Sequence, residues 1–283
     1  MNLKAPHMLV VFFMCLLNKQ RSHKKHGIAI FSCVVSVLML SACAVNNKKI
    51  VAINAQQLIS EQDVIDIATL ATEQLELLLN IKLQQRPTIH FVSAQQLKAH
   101  ILEHAYIVDL DNAQALSHYS QSVVAVYCEY EKDIYVVEDN IQVYERVDYS
   151  AQELVYEALL HILTHELVHA IQDQQGLLNW YSDDDAENSA FSTLVEGHAD
   201  LQTALVLERM GVIDDIYNYG VQTVASDSDD IAFNQYSDKF SQKYVTGKKI
   251  FNEIHQKYGN GQAWRVLKRP ELQIQRMLSR RVR

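Results

Sequence analysis

Hydrophobic and polar positions change period several times along the chain, and each change marks an element. Between Glu61 and Lys82, Val64, Ile67, Ala68, Leu70, Ala71, Leu75 and Leu78 recur at three- and four-residue intervals, the spacing of one helix face. Pro87 opens the run Thr88-Ile89-His90-Phe91-Val92, a short strand candidate, and residues 94–104 return to helical spacing. Ser122–Glu129 is rich in Val and Tyr and Ile134–Val137 repeats that character, so a hairpin is predicted across Tyr130–Asp133.

The longest apolar stripe follows. Leu154, Val155, Ala158, Leu159, Ile162, Leu163, Leu167 and Ile171 lie on one broad helical face, between a capping-box signature at Ser150-Ala151-Gln152-Glu153 and a stop at Gly176. This predicts a helix over 151–175. A second is predicted over 186–210, with Asp183–Asp185 at the end where negative charge suits a helix dipole and Gly211 after the other. A third, Tyr244–Tyr258, stops at Gly259. Helices surrounding a small sheet make the fold class α+β.

The N-terminal 42 residues read differently from the rest. They carry five Lys or Arg and no acid, and Lys19, Arg21, Lys24 and Lys25 precede an apolar run, Ile28–Leu40, that is short for a membrane span. The run ends in Leu40-Ser41-Ala42-Cys43, which resembles the bacterial lipobox and implies a lipoprotein-type signal peptide over 1–42 with lipid attached to Cys43. Residues 43–60 then read as a tether and 61–283 as the working domain. Ala44 is not the Asp linked with inner-membrane retention in such lipoproteins, so the resemblance implies a cell-envelope protein anchored in the outer membrane.

Removal of 1–42 leaves 241 residues holding 20 of the 25 basic residues and all 34 acidic ones, a net charge of −14. Such a balance argues against nucleic acid as a partner and against electrostatic docking on anionic lipid. Of the four cysteines, Cys15 and Cys33 leave with the signal, Cys43 carries lipid, and Cys128 remains in an apolar strand-like run as a buried thiol. His90, His100 and His104 read as scattered polar positions.

The chemistry-bearing motif lies in the predicted helix 151–175. His165-Glu166-Leu167-Val168-His169 puts two imidazoles four residues apart on one face, where both can reach one Zn²⁺. Glu166 is rotated by about 100° from His165, so it can lean over the metal without ligating it. In the metzincin continuation Gly would stand at 172 and His at 175, but both are Gln. The next helix offers Glu196 and, four residues on, Asp200, on a largely apolar face where two acids need partners.

H-E-L-V-H at 165–169 with E-G-H-A-D at 196–200 resembles the gluzincin branch of the zincin metallopeptidases. The resemblance implies a zincin-like domain in which His165, His169 and Glu196 bind zinc, Glu166 acts as general base and Asp200 orients a histidine. Its implied reaction is hydrolysis of a peptide bond by a zinc-bound water, on a peptide or protein substrate. It also implies an edge strand that holds extended substrate, for which Ile134–Glu138 is the candidate, and a transition-state donor from the C-terminal half, with Tyr236, Tyr244, His255 and Arg265 as candidates. His161 and Asp173, one turn either side of the motif, could support the site or be ordinary rim residues. His198 points away from the metal face. The competing reading is a non-catalytic lipoprotein that uses the same fold to bind a protein or envelope component.

Overall fold

A computed structural model describes residues 59–104, 113–141, 152–212 and 231–281. The signal segment, Cys43, most of the tether, Ser150 and Ala151 of the capping box and residues 213–230 lie outside the described residues. In chain order the elements are α1 (Glu61–Leu79), β1 (Ile89–Val92), α2 (Ala94–His104), α3 (Ala113–Ser122), β2 (Ala125–Cys128), β3 (Asp133–Val137), α4 (Gln152–Gln174), α5 (Asp185–Met210), α6 (Ile231–Tyr258), α7 (Asn260–Lys268) and α8 (Glu271–Arg281). Among the described residues the fold is therefore α+β, mostly helical around one small sheet.

Local chemistry sets several boundaries. Ser60 caps α1 in a reciprocal box with Asp63: the Ser60 hydroxyl accepts the Asp63 N–H at 3.2 Å and the Asp63 carboxylate accepts the Ser60 N–H at 2.9 Å. Asp184 caps α5 by accepting the Ala186 N–H at 2.7 Å, and Gly211 ends that helix at φ 76°, a left-handed conformation that glycine adopts without penalty. Alternation works the same way in the sheet. Ala125, Tyr127, Ile134 and Val136 join the core under α1 and α4, while Cys128, Tyr135 and Val137 face the opposite way, onto Leu97 of α2 and Leu116 of α3.

The strand order is β1-β3-β2, with β1 parallel and β2 antiparallel to β3. This corrects the expected edge strand. Ile134–Val137 belongs to β3, the central strand, whose ladder groups are engaged on both sides; β2 is the outer strand lying along α4. Sequence order placed β3 next to the motif helix, but the long return from β1 delivers β3 into the middle of the sheet.

Four helices go beyond the elements read from the sequence: α3, α7 and α8 are additional and α6 is longer. In α3, A-Q-A-L-S-H-Y-S-Q-S, serines dominate, and the helix end is secured from outside: the Asn140 side-chain amide donates to the carbonyls of Ser120 at 3.0 Å and Val123 at 2.5 Å. Helix α6 starts at Ile231 rather than Tyr244, through a stretch rich in Asn, Gln, Ser, Asp and Lys. Helices α7 and α8 contribute Ala263, Leu267 and Ile274 to a second core with Leu194, Leu201 and Phe251. Helix α5 thus lies between two cores, with α4 on one side and α6 on the other. No helix among the described residues is long and apolar enough to cross a membrane.

Candidate metal centre

Helix α4 presents His165 and His169, and α5 presents Glu196, to one point. The two Nε2 atoms lie 3.0 Å apart, and Glu196 Oε2 lies 3.1 Å from that of His165 and 3.3 Å from that of His169. Ligands at about 2.0–2.1 Å from a tetrahedral ion are separated by roughly 3.3–3.4 Å, so this triangle is close to one face of such a coordination shell.

Hydrogen bonding on the far side of each ring determines what the triangle offers. Gln172 donates its Nε2 to the Val195 carbonyl at 3.0 Å; a carbonyl can only accept, so the Gln172 oxygen faces His169 Nδ1, at 2.8 Å. His169 must therefore carry a proton on Nδ1. His165 Nδ1 lies 3.0 Å from Asp200 Oδ1, an ion-pair distance whose angle is not that of a well-aligned hydrogen bond. Asp200 is only 3% exposed, and this imidazole is the charged partner it meets there. With Nδ1 of both rings turned to acceptors, the neutral rings leave their Nε2 lone pairs beside a carboxylate oxygen. Three lone pairs meeting at one buried point require positive charge, supplied by protons on the rings or by a cation.

The titration behaviour follows from that arrangement. Burial opposes charge on His165, yet the close carboxylates of Asp200 and Glu196 raise its pKa well above the ordinary histidine value. His169 shows the same contest, won by the Glu196 charge. Burial alone would raise Glu196; the His169 charge and the bonds from both rings outweigh it and hold the carboxyl below the usual range.

Glu166 lies outside the triangle. Its Oε2 accepts the Tyr127 N–H of β2 at 2.8 Å, so the outer edge of the sheet orients this carboxylate. Burial raises its pKa and the two histidines offset part of the rise, leaving a carboxyl more basic than one in water. Asp173 is neither a support for the metal ligands nor a solvated helix end. Its Oδ2 accepts from the Tyr127 hydroxyl at 2.7 Å and from Lys132 Nζ at 2.6 Å, clamping the hairpin to the end of α4.

The remaining candidates separate clearly. Tyr244 of α6 has its ring 5.7 Å from the His165 ring, whereas Arg265 is exposed on α7 and Tyr236 belongs to the part of α6 whose side chains are not described. His161 is buried, with burial and the neighbouring His165 pushing its pKa down to about 3. His198 is fully buried against Phe251 and Trp264, away from the triangle, and burial lowers its pKa to about 3. Its Nδ1 faces the Gln172 amide at 3.1 Å, and its Nε2 lies 3.4 Å from Gln202, which pairs reciprocally with Asn260 at 2.7 and 2.9 Å.

Gln172 is the functional residue that sequence patterning missed. It stood out only as a departure from a neighbouring family's glycine, although its i+3 spacing from His169 puts it on the metal face. A second departure from expectation is Gly197. A Cβ there would lie 2.1 Å from the Gly247 carbonyl carbon, so this pair of glycines is what lets α5 and α6 touch backbone to backbone.

These buried His and Glu groups form a site able to bind a metal ion. Comparison of the chain with protein-family profiles, with curated proteins and with solved structures finds no match.

Proposed function

We propose that this chain is a zinc-dependent peptidase of zincin-like fold, held at a bacterial envelope membrane, in the outer membrane by the Ala44 argument, through lipid on Cys43. The observation that carries the reading is the His165–His169–Glu196 triangle with Glu166 fixed beside it by the Tyr127 N–H. A nitrogen-rich site with a single carboxylate suits Zn²⁺ better than the all-oxygen shells of Ca²⁺ or Mg²⁺. When bound, zinc supplies Lewis acidity and lowers the pKa of a coordinated water toward 7.

The protein's own groups would do the rest. Asp200 and Gln172 hold the two imidazoles with Nε2 facing inward. Glu166, made more basic by burial, takes a proton from the attacking water and delivers it to the leaving nitrogen. The Tyr244 hydroxyl is the candidate donor to the developing oxyanion. Substrate would lie extended along β2, the outer strand, beside the carboxylate that the strand orients.

Metal content of the purified wild type measured beside His165→Ala and Glu196→Ala tests the site. One zinc equivalent present in the wild type and lost by both variants is expected; zinc content undiminished in Glu196→Ala would remove Glu196 from the ligand set. A peptide-library digest with Glu166→Gln as control tests the chemistry. Zinc-loaded wild type that cleaves nothing would leave a non-catalytic binding protein. Metabolic labelling with palmitate, lost on Cys43→Ala, tests the anchor.

A further inference from the structure

We infer that a second transition-metal site exists on the opposite face of the sheet, formed by His100, Cys128 and Glu131. The donor atoms of these three residues all lie within 4.8 Å of one another. They come from three elements: His100 from α2, Cys128 from the end of β2, and Glu131 from the turn into β3.

The turn makes the convergence. Lys132 adopts φ 65° and its N–H bonds to the Cys128 carbonyl at 2.8 Å, folding Glu131 back over the thiol. The side chain of Lys132 runs to Asp173, at 2.6 Å. Glu131 instead meets His100 Nε2 at 2.9 Å and accepts the Tyr135 hydroxyl at 2.6 Å. The Tyr135 ring stacks on His100, centroids 4.3 Å apart, and on His90 from its other side at 4.7 Å.

Two of the three donors are thus oriented by a neighbour, which is how metal sites hold their ligands ready. The His100 ring is set by stacking and the Glu131 carboxylate by a hydroxyl. A His–Glu ion pair has no use for a buried thiol beside it; a metal does. One nitrogen, one sulfur and one oxygen donor select a borderline cation such as Zn²⁺ or Co²⁺, because sulfur disfavours Ca²⁺ and Mg²⁺. Three protein ligands leave a fourth position for water. Tetrahedral edges in such a shell are roughly 3.3–3.7 Å, so loading needs a small readjustment of His100 and Glu131 about the thiol, and both side chains are only partly buried.

Cobalt titration of the full chain tests this apart from the first site, because thiolate bound to Co²⁺ gives a near-ultraviolet charge-transfer band that His and Glu do not. Wild type should take two equivalents, with the band. Cys128→Ser should lose one equivalent and the band while keeping the d–d spectrum of the first site, and His165→Ala should keep the band. His100→Ala, at a partly exposed position, should weaken the thiolate equivalent at least tenfold and serves if Cys128→Ser does not fold. A band of undiminished intensity in Cys128→Ser, which retains Cys15, Cys33 and Cys43, would overturn the inference. So would a wild type that shows no band at all.

Discussion

Gly197→Ala adds one methyl group at the crossing of α5 and α6, next to a metal-centre residue. The new Cβ would lie 2.1 Å from the Gly247 carbonyl carbon and 2.3 Å from its Cα, where ordinary contact begins at 3.4 Å, so the backbones must part by about 1.3 Å. The opposing atoms are main chain and cannot rotate aside, which places the cost at the upper end of the roughly 1–3 kcal/mol typical of overpacking. Alanine returns about 1 kcal/mol of helix propensity. The net loss is therefore about 2 kcal/mol, or roughly 4–8 °C in Tm for a domain of this size. Because Glu196 precedes Gly197 on the same helix, displacing α5 also pulls its carboxylate from the two imidazoles, and zinc affinity should fall by about 10–100-fold. Thermal unfolding with excess chelator measures the first effect and zinc competition titration the second. Gly247→Ala, whose Cβ would meet the Thr193 carbonyl oxygen at 2.3 Å, should behave alike, and the double variant should cost less than the sum because one separation relieves both. An unchanged Tm and zinc affinity in Gly197→Ala would refute the close-contact argument.

Other consequences can be checked directly. Gln172→Leu leaves the His169 Nδ1 proton without its acceptor and the Val195 carbonyl without its donor; it should destabilise by about 1–3 kcal/mol and weaken zinc binding, and a denaturant midpoint equal to wild type would count against it. His198 is neutral when folded, with a pKa near 3 against about 6.5 unfolded. The unfolded chain therefore binds the extra proton as pH falls, and stability is lost between about pH 6.5 and 3, by up to 4–5 kcal/mol at about 1.4 kcal/mol per unit. Urea unfolding across that window should be less pH-dependent in His198→Gln, and identical slopes would show that His198 is not buried neutral. Tyr244→Phe should lower kcat by about 10²–10³ with KM little changed if its hydroxyl donates to the oxyanion; a change in KM alone would reassign it to substrate binding.

Local patterns were legible where local geometry decides. Residues four apart on a helix share a face whatever surrounds them, so the pairing of His165 with His169 could be read from sequence, as could the boundaries of α5, which follow from Asp184 and Gly211. The Val- and Tyr-rich runs at 122–129 and 134–137 likewise marked the hairpin, because β-branched and aromatic side chains suit a pleated strand. Tertiary structure decided everything that depends on which elements meet. The central place of β3 follows from the return of β1 beside it, and no feature of Ile134–Val137 encodes that neighbour. The support of His169 by Gln172 depends on where the Val195 carbonyl falls, the Gly197–Gly247 contact joins positions fifty residues apart, and His100 reaches Cys128 and Glu131 only because α2 packs across the sheet. Spacing along the chain carries information over a helical turn or a strand pair; beyond that, distance is set by packing, which many sequences with the same local pattern could satisfy differently.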